Sequence, residues 1–584
     1  MINCIGDERM KISQVSIAKF RSIKKATFRI NDITAVVGEN NAGKTAVLRA
    51  INAVLNYKFE ESSFITKKHQ YAPKNNTYIT ITFVDVPEKP VYSNKLLDGT
   101  LTIKFSFSYS DNKKRLVIVM GRDQEIIDDI FVQELAKDIL YVYIPAGRTN
   151  KDVTWSDESI LKELITRYTA QYTENRDTIS SHVRQATKKI HDSVLTKLEN
   201  KINSLYMQNR SMDFKINFPR SLDYTFLLDR IEISLNEYGS NYLLQEWGSG
   251  TKSLAVIALH RANALLNNAS IVLGIEEPET NLHPQAQKRF IMSLKERLQS
   301  NETQTIFTTH STVLVDALEH NDILLIRRVA ESSRGFITTV SQIPADFWTK
   351  NNLEEFKHYQ YFNYKNSDFF FSKYVILGES KNDCQVLERL IVSELGNKIA
   401  DISFLDAGGV ENIKYPYYLL KELGIPFMTI VDRDYFFPYA NNNKLEESRY
   451  QLTGLPNYSD EIKNDDIINE IFNTPTAKQK LVDNHRNGYR KFYEYIKQFK
   501  ILSMNYCLEM DLTCSSKARD EYYRLLNTIP QNKSQKFLLE KNGNAIKKID
   551  KILHIIDTIP QRSYPESYLK IRNTLVEDIN NYIL

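Results

Sequence analysis

ITAVVGENNAGKTAVLRAINAVL, residues 33–55, passes from an apolar stretch through a polar loop bounded by glycines into a segment with apolar residues at helical spacing. Gly38 to Thr45 spell G-E-N-N-A-G-K-T, two glycines with four residues between them followed by Lys and Thr. The pattern predicts a strand over 33–37, a phosphate-binding turn, and a helix over 46–55. Gly38 and Gly43 let the backbone curl until its N–H groups, that of Asn41 among them, face an anion, and the helix adds the positive end of its dipole. Lys44 then reaches terminal phosphates and Thr45 offers a hydroxyl to Mg²⁺, so ATP with Mg²⁺ is the expected cofactor. An ordinary glycine-bounded turn would account for the glycines but not for the strand and helix on either side.

Moving outward, SIVLGIEEPETNLHP (residues 270–284) predicts a buried strand ending in Glu276 and Glu277. The C-terminal ends of strands in open α/β sheets are where ligands bind. One acid there can hold Mg²⁺ through water while the next polarises the attacking water. Between the two motifs, LLQEWGSGTKSLAVIAL (residues 243–259) opens an apolar-periodic helix at Gly248-Ser249-Gly250. After the acids, TQTIFTTHS (residues 303–311) predicts a strand ending at His310. YVYIPAGRT (residues 141–149) predicts a core strand leading to Arg148, either a nucleotide or DNA contact or a solvated side chain.

Phosphate loop, glycine-serine helix start, acidic strand end and strand-terminal histidine, in that order, resemble the ATP-binding-cassette ATPases of the SMC/RecF subgroup. The opening ISQVSIAKFRSIKKATFRI (residues 12–30) resembles the start of many members. The resemblance implies a head-to-tail dimer, with Lys44, Thr45, Glu276, Glu277 and His310 on one side of ATP and Ser249 and Gly250 supplied by the partner. The capping motif W-G-S-G-T departs from L-S-G-G-Q, and the first acid is Glu rather than Asp, so turnover is expected to be slow or conditional. A metal-contacting glutamine is expected between loop and cap, and Gln70 lies in that zone.

At 584 residues, 42% apolar and 25% charged, with 19 Gly and 16 Pro, the chain has the composition of a soluble globular protein of several domain-sized units. No apolar run reaches the ~18 residues of a membrane span and the N-terminus lacks a signal-peptide core, so a cytoplasmic location and no membrane partner are expected. Cys4, Cys384, Cys507 and Cys514 form no C-x-x-C pair, which argues against a zinc ribbon, and they read as small reduced hydrophobes. A net charge of +4 is compatible with nucleic acid but does not require it.

The chain continues long after the nucleotide site. YVILGESKNDCQVLERLI (residues 374–391) predicts a strand ending at Glu379 and a helix with Asp383 about one turn in. IPFMTIVDRDYF (residues 425–436) predicts a second strand ending in Asp432-x-Asp434, two carboxylates expected on one side of an extended chain. Parallel strands present such ends together, where they can share a divalent ion. With FLDAGGVENI (residues 404–413) as the glycine turn between them, these parts resemble the Toprim fold.

An ATPase half followed by Toprim resembles the OLD (overcoming lysogenization defect) nuclease family, which includes Gabija nuclease subunits and retron-associated effectors. The fold class it implies is α/β: residues 1–155 as the first ATPase lobe, 156–225 as a helical insert, 226–355 as the second ATPase lobe, and 356–584 as Toprim with helical additions. In the insert, Ile190, Val194, Leu198, Ile202 and Leu205 recur at three- and four-residue steps, a stripe that packs on its own domain or on a second copy. The resemblance implies catalysis by Glu379, Asp432 and Asp434 on Mg²⁺, Mn²⁺ or another divalent ion. It also implies a second metal position from Asp383, Glu509 and Asp511, and a C-terminal lysine for which Lys541 and Lys547 both qualify. The implied activity is ATP-regulated DNA cleavage in anti-phage defence by a homodimer or tetramer. A UvrD-like helicase or a retron reverse transcriptase with its DNA–RNA product are the implied defence partners. The alternative is a nucleotide-sensing ATPase scaffold whose Toprim half binds nucleic acid without cutting. A topoisomerase would need a nucleophilic tyrosine, and none of the 33 has a telling context.

Overall fold

The computed structural model describes residues 9–57, 71–72, 75–110, 113–148, 160–170, 173–205, 215–216, 233–237, 240–265, 269–298, 303–331, 335–362 and 367–583. Gln70, Cys4 and parts of the insert lie outside these. The chain divides into two compact units: Met1–Leu318 with Asp322–Val340, and Glu319–Asn321 with Ser341–Leu584. The change of unit at Val340 comes before the composition break at Phe356. Ile343, Phe347 and Leu353 between them are buried, and this apolar run carries no turn signal to mark where it joins the second unit.

The first unit is built on strands β1 (Lys11–Phe20), β2 (Ile23–Arg29), β3 (Ile33–Gly38), β4 (Thr77–Val84), β5 (Leu101–Ser108), β6 (Lys113–Met120), β7 (Asp123–Ile126) and β8 (Ile139–Ile144). A hairpin, β9 (Ser234–Glu237) and β10 (Ser240–Leu243), stands apart from β11 (Ser270–Glu276), β12 (Thr303–Thr309), β13 (Ile323–Glu331) and β14 (Gly335–Ser341). Twelve strands form one sheet in the order β7-β6-β5-β4-β1-β2-β14-β13-β3-β12-β11-β8. From β13 to β8 all pairs are parallel, whereas β7 through β2 are antiparallel. Burial follows: β3 is buried at every residue, as a strand covered on both faces must be, while β4 and β5 alternate with period two.

The insert forms helices Ile160–Ala170, Thr173–Ile190 and Thr196–Leu205, the last two joined through a π-turn at His191–Leu195. Ile190, Val194 and Leu198 are 45, 56 and 44% exposed, so these three residues of the predicted stripe lie open among the described residues.

The second unit centres on four parallel strands, β15 (Tyr374–Gly378), β16 (Ile402–Asp406), β17 (Phe427–Val431) and β18 (Ile501–Ser503), in the order β16-β15-β17-β18. Chain order reverses between β15 and β17, which opens a crevice at their C-terminal ends. Helix Glu566–Tyr582 buries Ile571, Leu575 and Ile579 and packs against helix Lys381–Leu395. His320, from the three-residue excursion Glu319–Asn321, is buried here with its Nδ1 2.7 Å from His358 Nε2, among the rings of Phe362, Tyr359 and Phe370. Burial pushes His320 down to about 3 and His358 to about 2, so both imidazoles are neutral. No helix among the described residues is long and apolar enough to cross a membrane.

Candidate functional site

The phosphate loop sits at the end of β3, between β13 and β12. Gly38 lies so close to β13 that a Cβ would fall 2.0 Å from the Ile326 carbonyl oxygen. Gly43 has φ 110°, in the left-handed region, where it turns the chain into helix Lys44–Leu55. Asn41 also has positive φ, 60°. A cleft of about 600 Å³ is lined by Asn41, Gly43, Lys44, Thr45, Glu277 and His310 together with Arg21 and Ser22 of the β1–β2 turn.

Lys44 is folded back into that cleft. Its Nζ donates to the carbonyls of Gly38 (3.0 Å) and Glu39 (2.9 Å) and contacts His310 Nε2. Burial pushes Lys44 down to about 8 despite Glu277 and Glu279, and burial together with Lys44 pushes His310 down to about 4. Glu277 has φ 42°, a strained value for a side-chain-bearing residue, and its N–H donates to the Thr308 carbonyl at 3.0 Å. That turn presents the Glu277 carboxylate 3.9 Å from His310 Nε2. Glu276 has a different setting: its Oε2 accepts from the Ala146 N–H at 3.4 Å, and burial together with its carboxylate raises the pKa of the neighbouring Tyr143 hydroxyl. Lys44, the Thr45 hydroxyl and the Glu277 carboxylate line one cleft at the N-terminal end of a helix, a donor set that suits Mg²⁺ and a nucleotide phosphate.

Two residues were not legible here. Glu279 Oε1 accepts from Thr309 Oγ1 (2.8 Å) and the His310 N–H (2.7 Å), fixing the strand end that carries His310. Arg148, expected as a ligand contact or a solvated side chain, instead donates to the Glu276 and Glu277 carbonyls and to Ser253 Oγ (2.8 Å). It ties the acidic strand end to helix Ser249–Leu265. Ser249 and Gly250 stand at the start of that helix and do not line the phosphate cleft of their own chain. A Cβ on Gly250 would lie 2.4 Å from the Asn281 carbonyl oxygen.

In the second unit Glu379 follows β15 and Asp432 follows β17, the two strands flanking the switch point. Glu379 Oε1 accepts from the Asp432 N–H at 2.8 Å. The expectation of an extended Asp-x-Asp is corrected: Asp432 is extended, but Arg433–Tyr435 forms a 3-10 turn. Arg433 turns inward, 4% exposed, with its guanidinium 3.9 Å over the Phe492 ring and its Nη2 2.7 Å from His485 Nδ1, which leaves Asp432 and Asp434 on the outer side. Buried packing of Arg433, not strand alternation, sets this presentation.

Asp383 closes a capping box on helix Lys381–Leu395, its Oδ2 accepting from Ser380 N (2.9 Å) and Oγ (2.7 Å). Burial, then Asp434 and Asp383, pushes Glu379 up to about 7. Asp432 is pushed well up by burial and then by Glu379, Asp383, Asp434 and Glu509, and Asp383 is pushed up by burial and Glu509. Five acids thus crowd one crevice. Against them stand Lys463, 3.9 Å from Asp434, and Lys547, 3.3 Å from Glu509. As the side chains stand, no three potential ligands among the described residues are arranged to hold an ion. The mutual repulsion of five convergent carboxylates is nonetheless the condition a divalent cation relieves, and the donor set suits one.

Asp511 is not among them. Its Oδ2 accepts from the Asn505 N–H (2.8 Å) and its Oδ1 from the Tyr506 N–H (2.9 Å), binding the turn between β18 and helix Leu508–Leu512. Lys541 lies on a neighbouring cleft and has no partner in the acid cluster. Lys463 and the stacked pair Tyr439 and Tyr458 (5.4 Å) border the acids without any sequence signal, since the excursion between β17 and β18 brings them in. Cys384 is buried, Cys507 half-buried and Cys514 exposed, so the reading of buried thiols fits the first best.

Comparison with known proteins agrees with this division. The family of the AAA ATPase domain matches residues 10–140 and 124–315, more than half of the chain, and the Toprim domain of overcoming lysogenization defect-like proteins matches residues 370–434. The Old nuclease of Escherichia phage P2 is 22% identical over 73% of this chain and 78% of its own. The OLD nuclease of Thermus scotoductus is 22% identical over 72% and 82%, and the endonuclease GajA of Bacillus cereus HuB5-5 is 24% identical over 46% and 43%. The Smc head domain of Pyrococcus furiosus aligns over 58% of this chain and 98% of its own, at 13% identity and a TM-score of 0.36, too low to carry weight. The chain belongs to the AAA ATPase domain family and, with its Toprim unit, to the OLD family.

Proposed function

We propose that this chain is a divalent-metal-dependent DNA endonuclease, controlled by its ATP-binding unit and serving anti-phage defence. The observation that carries the reading is the crevice between β15 and β17, where Glu379, Asp383, Asp432, Asp434 and Glu509 gather with two lysines at the rim. The relatives printed as nucleases and endonucleases support the same reading. A divalent ion, Mg²⁺ or Mn²⁺, would supply a polarised water and charge neutralisation at the phosphate. Glu379, Asp432 and Asp434 would hold it, with Asp383 and Glu509 toward a second position. Glu379 keeps one oxygen for this role, the other being held by the Asp432 N–H. Lys547 is the better placed of the two lysines, and its ammonium offsets charge on the phosphate and the leaving 3′ oxygen. DNA binding would weaken with salt as lysine and arginine contacts to phosphates are screened.

In the first unit, ATP would draw Lys44 off the Gly38 and Glu39 carbonyls, with Thr45 and Glu276 on the Mg²⁺ side and Glu277 as general base. Ser249 and Gly250 do not line this cleft, which is consistent with a cap from a second copy, and the exposed stripe Ile190, Val194, Leu198 would offer an apolar surface for a homodimer or a tetramer. A UvrD-like helicase, or a retron reverse transcriptase with its DNA–RNA product, would be the defence partner. The test is incubation of the purified protein with plasmid and Mg²⁺ or Mn²⁺. Nicked or linear product is expected from wild type and not from Asp432→Ala. Intact plasmid from both would favour the sensing scaffold, and a covalent protein–DNA product would indicate a topoisomerase.

A further inference from the structure

A second cleft in the Toprim unit, of about 670 Å³, has no part in the chemistry described above except through one residue. Lys547 lines it and also stands 3.3 Å from Glu509 at the acid crevice, so the cleft and the crevice share a wall. The backbone under that lysine is fixed: the Ile546 carbonyl accepts from the buried Tyr522 hydroxyl at 3.2 Å. Lys541 and Arg449 line the cleft as well. Arg449 donates from Nη1 to the Leu539 carbonyl at 2.8 Å, while its buried Nε has no hydrogen bond among the described residues. Glu446 and Glu540 are the acids of the lining, and Glu540 faces Lys536 at 4.0 Å. Lys547 is paired with Glu509 and Glu540 with Lys536, which leaves Lys541 and Arg449 against Glu446 among the lining side chains, beside two leucines and two asparagine amides (Leu445, Leu539, Asn542 and Asn544).

We propose that this cleft is a nucleotide subsite that holds a unit of the DNA strand next to the scissile phosphate, with Lys541 and Arg449 facing its phosphate. It rests on the endonuclease reading and deepens it. A cleft of this size is within the range that encloses a small molecule. A strand can fill it and still present its neighbouring phosphate to the acids across Lys547, which a free mononucleotide cannot do.

The position of Gly543 supplies a test that spares the acid crevice. A Cβ there would meet nothing within 4 Å and its backbone is not in the left-handed region, so a side chain can start at this lining position, and Gly543→Trp places the bulkiest one there. Cleavage of a linear duplex with Mn²⁺ should show KM raised about tenfold in Gly543→Trp with kcat largely kept, the loss expected for one displaced nucleotide. Lys541→Gln, a change at an exposed side chain, should lower the slope of log affinity against log salt by about one. Fluorescence anisotropy of a labelled duplex in Ca²⁺ reads both variants even if no cutting occurs, so failure of the endonuclease reading and failure of the subsite are seen separately. Wild-type KM, anisotropy and salt slope in both variants would overturn the proposal. So would loss of thymidine 5′-monophosphate binding in Gly543→Trp with DNA affinity unchanged.

Discussion

The two strand-end sites handle charge in opposite ways. At the phosphate loop the charge is already answered: Lys44 is held by two carbonyls and a neutral His310, and burial drives its pKa down. At the Toprim crevice it is unanswered, since carboxylates raise one another and, among the described residues, Lys463 and Lys547 are the cations paired with them. The first site can rest empty at little cost because its cation has a place to go. The second stores repulsion that a bound cation releases, so it should respond to its ligand in stability as well as in rate.

The largest expected effect tests the unanswered site. Asp432→Ala and Glu379→Ala should cut Mn²⁺-dependent cleavage to below about one-hundredth of wild type, because even outer partners of metal ligands are worth ~10–100-fold. Circular dichroism should show the fold retained. Retained cleavage in both variants would break the contrast at its root.

Metal itself sharpens it next. At a hundredfold excess over its Kd, Mn²⁺ should stabilise the second unit by about 2.7 kcal/mol. Thermal melts should show that shift in wild type and lose it in Asp432→Ala, whereas EDTA should leave the Lys44→Ala and wild-type baselines alike.

The answered site predicts proton uptake. Lys44 lies at about 8 when folded back, and phosphates restore its charge, so ATP binding near pH 8 to 9 should take up protons. Calorimetry in buffers of different ionisation enthalpy measures this. Equal heats in all buffers would mean that Lys44 does not change its charge. Lys44→Ala should bind ATP too weakly to measure.

The smallest effect comes from the neutral pair His320 and His358. Their folded values, about 3 and about 2, lie below the unfolded value, so their contribution is fully present above pH ~6.5. As pH falls below it, the unfolded chain binds protons that the folded chain refuses. Stability should then drop by up to ~1.4 kcal/mol per pH unit per histidine. Urea melts of wild type and of a His320→Phe, His358→Leu double variant between pH 5 and 7 should differ in slope.

What could be read from the sequence was whatever sat in one contiguous stretch. β3, β11, β15 and β17 announce themselves because an apolar run and its terminal loop are neighbours in sequence. Gly38 to Thr45, Glu276, Glu277, Glu379 and Asp432 are legible for the same reason. The structural role of Arg148, and Glu279, Lys463 and Tyr439 altogether, were not, because each acts through a partner that only folding brings near. Asp511 and Glu509 sit two residues apart on one short helix, yet one binds backbone amides and the other faces Lys547. The proposed preference for Lys547 over Lys541 likewise rests on one 3.3 Å contact that sequence cannot show.

The excursion at Glu319–Asn321 makes the two units inseparable by a single scissor cut. Severing the chain at Val340 would leave residues 341–584 without His320, and so with an imidazole-sized hole among Tyr359, Phe362 and Phe370. Such a fragment would also leave the His358 Nε2 without its partner. Anyone dissecting this protein should graft rather than truncate. Carrying the tripeptide along, for example by circular permutation, keeps the Toprim half whole.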